Sequence, residues 1–105
     1  MDERRTLSRD EALELVRRYK RVIMSRFHDE PKVLMFGSYS KGYANPDSDI
    51  DVAVIVPSYG DRKFEISTLL WRDVRQVSFL IEPVLMAEDR WSPLYDEVMR
   101  TGIAV

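Results

Sequence analysis

Two kinds of apolar pattern alternate along this chain. From Ala12 to Phe27, apolar residues recur at three- and four-residue intervals (Ala12, Val16, Tyr19, Ile23, Phe27), and Leu15 and Val22 widen the stripe. That period marks one face of an α-helix. Ser8-Arg9-Asp10-Glu11 opens it with a Ser-x-x-Glu capping box, and the spacing predicts about five turns ending near His28-Asp29-Glu30, before Pro31. A second helical stripe follows Asp61, its predicted cap, with Ile66, Leu70, Val74 and Val77 in line and Leu69 beside them. A third, short helix is predicted from Ser92 to Arg100, entered by Ser92-Pro93 and stopped by Gly102, with Leu94, Tyr95, Val98 and Met99 packing it down. Between the helices lie short apolar runs rich in β-formers: Lys32 to Phe36, Ile50 to Val56 and Ser78 to Met86, with Ile103-Ala104-Val105 as a possible fourth strand. The polar residues 1–7 are predicted to fray.

Helices and strands in alternation predict an α/β fold, with a small sheet of three or four strands and the two long helices covering one face. Pattern alone leaves parallel and antiparallel pairing open. At 105 residues and 12.3 kDa the chain has room for a single domain, 1–105, with one modest core. The formal net charge of -2 argues against a general nucleic-acid binder, which would carry a basic excess. The basic outer face of the first helix (Arg17, Arg18, Lys20, Arg21, Arg26) is either a solvated surface or a meeting place for an acidic partner. With no cysteine, disulfide and thiolate-metal chemistry drop out. No signal-like or membrane-length apolar segment is present, and the expected location is cytoplasmic. His28 is alone of its kind and sits among polar residues at a helix end, where it has no expected catalytic part. Trp71 is expected in core or rim packing, because no run of aromatics along a basic groove accompanies it.

The chemistry concentrates between the first two strands, in Gly37-Ser38-Tyr39-Ser40-Lys41-Gly42 and Asn45-Pro46-Asp47-Ser48-Asp49-Ile50-Asp51. On a strand, residues i and i+2 share a face, with Cα atoms roughly 6.5–7 Å apart. Asp49 and Asp51 therefore present two carboxylates side by side, and Ile50 turns the other way. Each raises the pKa of the other unless a positive charge intervenes, and a hard divalent cation such as Mg²⁺ suits the oxygens. The Gly37-Ser38 turn at a strand end offers backbone N–H groups, a hydroxyl and close approach, as phosphate sites do. A short helix within residues 37–42 would add its N-terminal N–H groups. Lys41 is either a phosphate contact or a surface lysine, and Gly42 relieves a tight bend. Asp47 reads as a turn former, and Ser48 as a cap or a phosphate contact. In the third strand, Glu82 is an acid inside an apolar run, and Pro83 beside it marks an edge or a bulge. Glu82 either joins the acidic pair or points to solvent from that edge.

Gly-Ser, ten residues, then Asp-x-Asp resembles the signature of the DNA polymerase β-type nucleotidyltransferases, and the short chain and the Gly37–Gly42 wording resemble their minimal nucleotidyltransferase (MNT) branch. The resemblance implies a mixed sheet, ATP bound through Gly37, Ser38, Lys41 and Ser48, and two Mg²⁺ ions held by Asp49, Asp51 and Glu82. It implies Glu82 as the third acid, although Asp is the commoner residue there and the following Pro is a departure. The reaction implied is transfer of AMP to a hydroxyl. No acceptor-binding domain fits within 105 residues, so the acceptor is expected on a partner protein. Small proteins of this branch are often antitoxins that attach AMP to a tyrosine of a HEPN-type toxin. A module that neutralises its partner by contact alone, and an enzyme for a small-molecule acceptor, are the other readings.

Overall fold

The computed structural model describes residues 5–105. In chain order it contains α1 (Arg9–Ile23), β1 (Lys32–Phe36), α2 (Ser38–Lys41), β2 (Ile50–Val56), α3 (Lys63–Asp73), β3 (Ile81–Ala87), α4 (Pro93–Thr101) and β4 (Ile103–Ala104), and single 3-10 turns follow α1 and α3. The strands form one mixed sheet in the order β3-β2-β1-β4. β1 runs antiparallel to both β2 and β4, while β2 and β3 are parallel. The expected α/β architecture with a four-stranded sheet is present. β3 stands at an edge, where Pro83 loses least by lacking an N–H.

Strand alternation divides the core in two. Val33 and Met35, Ile50, Val52 and Val54, and Ile81 and Leu85 pack under Ala12, Val16, Tyr19 and Ile23 of α1 and under Leu70 and Val74 at the α3 end. This is the face that two long helices were expected to cover. Leu34, Phe36, Ala53, Ile55 and Met86 point the opposite way, onto Val98 of α4, with Val84 and Tyr95 at the margin. Leu94 and Met99 do not pack α4 down as expected, being 40% and 46% exposed.

Several predicted boundaries move, each for a local reason. The Ser8 capping box forms as read, but regular α-helix stops at Ile23, and a 3-10 turn over Met24–Arg26 leads to Phe27 in extended conformation. Asp61 does not cap α3, whose N-cap is Arg62 with no side-chain hydrogen bond. β3 starts three residues later than expected, because Ser78–Leu80 is a turn in which the Leu80 N–H donates to Ser78 Oγ. Residues 1–4 of the segment expected to fray lie outside the described residues. Its remainder is tied down: Arg5 makes a two-pronged ion pair with Glu11, and the Leu7 N–H donates to Tyr39 Oη at 3.2 Å.

The basic side of α1 is not one uniform charged surface. Arg17 and Arg21 both face Glu14, and Lys20 reaches Glu30 and the Val105 carbonyl. Arg26 turns inward to grip both oxygens of buried Asp73 at 2.9 Å. Tyr19, fully buried, donates its hydroxyl to the Leu70 carbonyl at 2.8 Å, and burial, helped by the Asp73 charge, pushes its pKa up. These contacts fix α1 against α3 beneath the sheet. Trp71 is 49% exposed, a rim position on α3.

Candidate active site

The site is built from the ends of three strands. β1 delivers Gly37 in a backbone conformation, φ 75° and ψ −152°, that is essentially restricted to glycine. Glycine is required there twice over, because a Cβ at Gly37 would collide with the Asp51 carboxylate. The phosphate-type turn and the acidic strand are therefore in direct contact. A single helical turn, α2, begins at Ser38, as expected, and ends at Gly42 in the left-handed region, φ 87°. One turn is marginal by itself, and neighbours hold it. Tyr39 is buried and its hydroxyl receives the Leu7 N–H. Ser40 donates its hydroxyl to the Gly37 carbonyl at 3.0 Å. The Arg9 guanidinium donates to the Ser40 carbonyl at 3.0 Å, satisfying a carbonyl that so short a helix leaves over.

The loop into β2 is fixed by its own side chains. Asn45 Oδ1 accepts the Asp47 N–H at 2.8 Å, an Asx turn. Ser48 Oγ accepts the Asn45 N–H at 3.0 Å, and the Ser48 N–H returns to the Asn45 carbonyl. Asp47 and Ser48 thus shape the turn that presents Asp49. The next residue locks the strand entry, since the Ile50 N–H donates to the Leu80 carbonyl at 2.8 Å.

Register then brings the acids together. Asp51 lies opposite Phe36 of β1 on one side and Glu82 of β3 on the other. Glu82 therefore shares a sheet face with Asp51, the same face that α4 partly covers further along. Its alternative, a side chain turned away to solvent, does not occur: Glu82 is half-buried and shares a hydrogen bond with the Asp49 carboxyl. Burial raises the Glu82 pKa, reinforced by that hydrogen bond and the Asp49 charge. Asp51 is pushed up to about 6, first by burial and then by the charges of Glu82 and Asp49. Asp51 and Glu82 are thus held against ionisation by burial and by the neighbouring carboxylates, across the ends of two adjacent strands.

A hard cation fits this donor set. Among the described residues, no three acidic or histidine side chains already form a closed metal cage. The fit rests instead on chemistry: all donors are carboxylate oxygens, and their mutual repulsion is what a bound cation relieves. Lys41, one turn beyond Gly37, donates to Glu97 of α4 at 3.1 Å, and that hydrogen bond raises its pKa. The structure thus brings together Gly37, Asp49, Asp51 and Glu82, sets Ser38 at the start of α2, and joins Lys41 to α4. His28 is fully exposed at the far end of α1. Arg9 and Tyr39 are the supports that sequence reasoning missed. Tyr39 carried a usable signal, a large aromatic inside a glycine-flanked turn; Arg9 carried none.

The family model for the nucleotidyltransferase domain matches residues 16–88, more than half of the chain. The chain belongs to that family. A Methanocaldococcus jannaschii protein named "Putative protein adenylyltransferase MJ0141" is 27% identical over 99 residues, which cover 90% of this nucleotidyltransferase domain and 99% of that protein. Among solved structures, a Sulfolobus solfataricus chain described as a "putative nucleotidyltransferase" superposes with a TM-score of 0.68 at 18% identity, covering 91% of this chain and 80% of that one. A variant of the MntA–HpeT toxin–antitoxin complex gives 0.50 at 21% identity, covering 95% of this chain and 72% of that one. At such identities the structural likeness speaks for the fold. The matched span contains β1, α2, β2 and β3, so it includes every acid of the site and the Gly37 turn.

Proposed function

We propose that this nucleotidyltransferase domain transfers AMP from ATP, with Mg²⁺, to a tyrosine hydroxyl of a partner protein, as the antitoxin of a HEPN/MNT toxin–antitoxin pair. The observation that carries the reading is the carboxylate group of Asp49, Asp51 and Glu82 in contact with the Gly37 turn. An isolated cluster of like charges is costly to a fold and is kept where chemistry uses it. The name of the archaeal relative, which specifies a protein acceptor, supports the second half. A toxin–antitoxin complex among the chains of this fold agrees with the antitoxin role.

In this reading Asp49 and Asp51 hold the metal, which when bound would neutralise triphosphate charge. Gly37 and the first N–H groups of α2 take the leaving phosphates, and glycine lets the backbone approach them closely. Lys41 exchanges Glu97 for a phosphate oxygen. Ser48 contributes through the turn it fixes, which presents Asp49. Glu82 either completes that metal site or, left off the metal, accepts the phenolic proton. The phenolate oxygen bonds to the α-phosphorus, the bond from α-phosphorus to the bridging oxygen breaks, and pyrophosphate leaves in line.

Co-expression with the neighbouring gene product, followed by the intact mass of that partner, tests the reading. The expected result is a gain of one or more AMP units that disappears in the Asp49→Ala, Asp51→Ala double variant while the variant remains folded. A partner that binds tightly but gains no mass would replace the proposal with inhibition by contact. A partner that neither binds nor changes mass would direct the search to small-molecule acceptors.

A further inference from the structure

Beside the carboxylates lies a recess of about 510 Å³, lined by Arg5, Leu7, Asp49, Ser78, Phe79 and Leu80. Its size is in the range of roughly 300–1,000 Å³ usual for ligand sites. Phe79 is 80% exposed, a large apolar ring left in water next to an acidic cluster. The turn that carries it is fixed at both sides: the Leu80 N–H is held by Ser78 Oγ, and the Leu80 carbonyl accepts the Ile50 N–H next to Asp49. Two further lining residues are also held in place, Leu7 by its bond to Tyr39 Oη and Arg5 by Glu11.

We propose that this recess is the acceptor pocket, that it takes a phenolic side chain, and that Phe79 is the wall on which the acceptor ring lies. The inference rests on the adenylyl-transfer reading above. Leu7, Phe79 and Leu80 offer an apolar slot, and Asp49 offers a polar terminus where a phenolic hydroxyl would reach the carboxylates. Such a slot with a polar end matches a ring that is apolar in its body and polar at its tip. In-line displacement decides between acceptor and nucleobase as the occupant. The leaving phosphates belong at Gly37, on the β1 side of Asp51, so the attacking oxygen enters from the β3 side. The Phe79 turn leads directly into β3. The new bond is phenolic oxygen to α-phosphorus, the bond lost is that to pyrophosphate, and the phenolic proton passes to Glu82 or, where Glu82 holds the metal, to water.

Binding tests the pocket without turnover. In ¹⁵N-resolved NMR titrations, N-acetyl-L-tyrosinamide is expected to shift the amides of Leu7, Phe79 and Leu80. A non-hydrolysable ATP analogue with Mg²⁺ is expected to shift those of Ser38 to Gly42 instead. Phe79→Ala, at an exposed position, should weaken the tyrosinamide about five- to tenfold, and Phe79→Trp should restore it. With the protein acceptor, Phe79→Ala should raise KM for the acceptor and leave KM for ATP unchanged. Shifts of Phe79 and Leu80 by the ATP analogue would overturn the proposal in favour of a nucleobase pocket, and unaltered tyrosinamide binding by Phe79→Ala would overturn it outright. AMP transfer without tyrosinamide shifts at Phe79 and Leu80 would refute the pocket and leave the activity standing. Those shifts in a protein that modifies no partner would support the pocket and refute the activity.

Discussion

Replacing Gly37 with alanine tests how tightly the phosphate turn and the acidic strand are joined. Two costs arise. The first is backbone: at φ 75° and ψ −152° a residue with a Cβ is strained by about 1–3 kcal/mol. The second is local to Asp51, whose carboxylate oxygen occupies the space the new methyl needs. Asp51 must leave its rotamer, which adds about 0.5–1.5 kcal/mol. The expected total is about 2–4 kcal/mol, read as a fall in urea midpoint at unchanged m-value. The two parts separate in a double-mutant cycle. In an Asp51→Ala background the clashing oxygen is gone and only the Asp51 Cβ, at 3.3 Å, is still close. Gly37→Ala should then cost about 1 kcal/mol less than it does in the wild type, a coupling within reach of such cycles. Strict additivity of the two substitutions would refute the argument that Gly37 is needed because Asp51 lies against it.

Asp51 also sets a pH dependence. Its pKa rises from 3.8 in the unfolded chain to about 6 in the fold, so the native state resists ionisation. In EDTA, stability is therefore expected to be greatest below pH 4 as far as this group is concerned, and to fall as pH rises from about 4 to about 6. Thermal melts of wild type and Asp51→Asn should diverge across that window, with the asparagine variant the flatter, and parallel curves would contradict the assignment. Mg²⁺ at ten times its dissociation constant should add about 1.4 kcal/mol at pH 7, or roughly 6–10 °C in Tm, and much less in Asp51→Asn; calorimetry measures both. Asp73→Ala should cost about 2–4 kcal/mol in urea titration, less than a fully enclosed pair would, because Arg26 is 35% exposed and can rehydrate. A loss below 0.5 kcal/mol would mean that α1 and α3 are held by apolar contact alone.

Much of the site was legible because its chemistry is local in sequence. The Gly37-Ser38 turn, the Asp49-Ile50-Asp51 alternation and the apolar runs around them follow from steric rules and a period of two, which act between neighbours along the chain. The same holds for the Ser8 capping box and for Pro93 at the first turn of α4. Glu82 was legible only as a misfit, an acid where an apolar residue was expected. Its partners are set by strand register, and no spacing along the chain encodes that Asp51 lies opposite Glu82.

Local rules failed where a distant contact outweighed them. Asp61 is a good capping residue by type, yet the chain enters α3 one residue later, at Arg62, without a side-chain cap. Arg26 belongs to the basic face by period, but buried Asp73 of α3 draws it inward. Residues Arg5–Leu7, polar and terminal, acquire a place because Glu11 and Tyr39 hold them. The sequence by itself determined the elements, the turn and the two aspartates, because each depends on residues a few positions apart. Only the tertiary structure decided that Asp51 touches Gly37, that Glu82 completes the acidic group and that Phe79 stands beside Asp49. These are contacts across strands, and they exist only once the sheet has fixed its order and register.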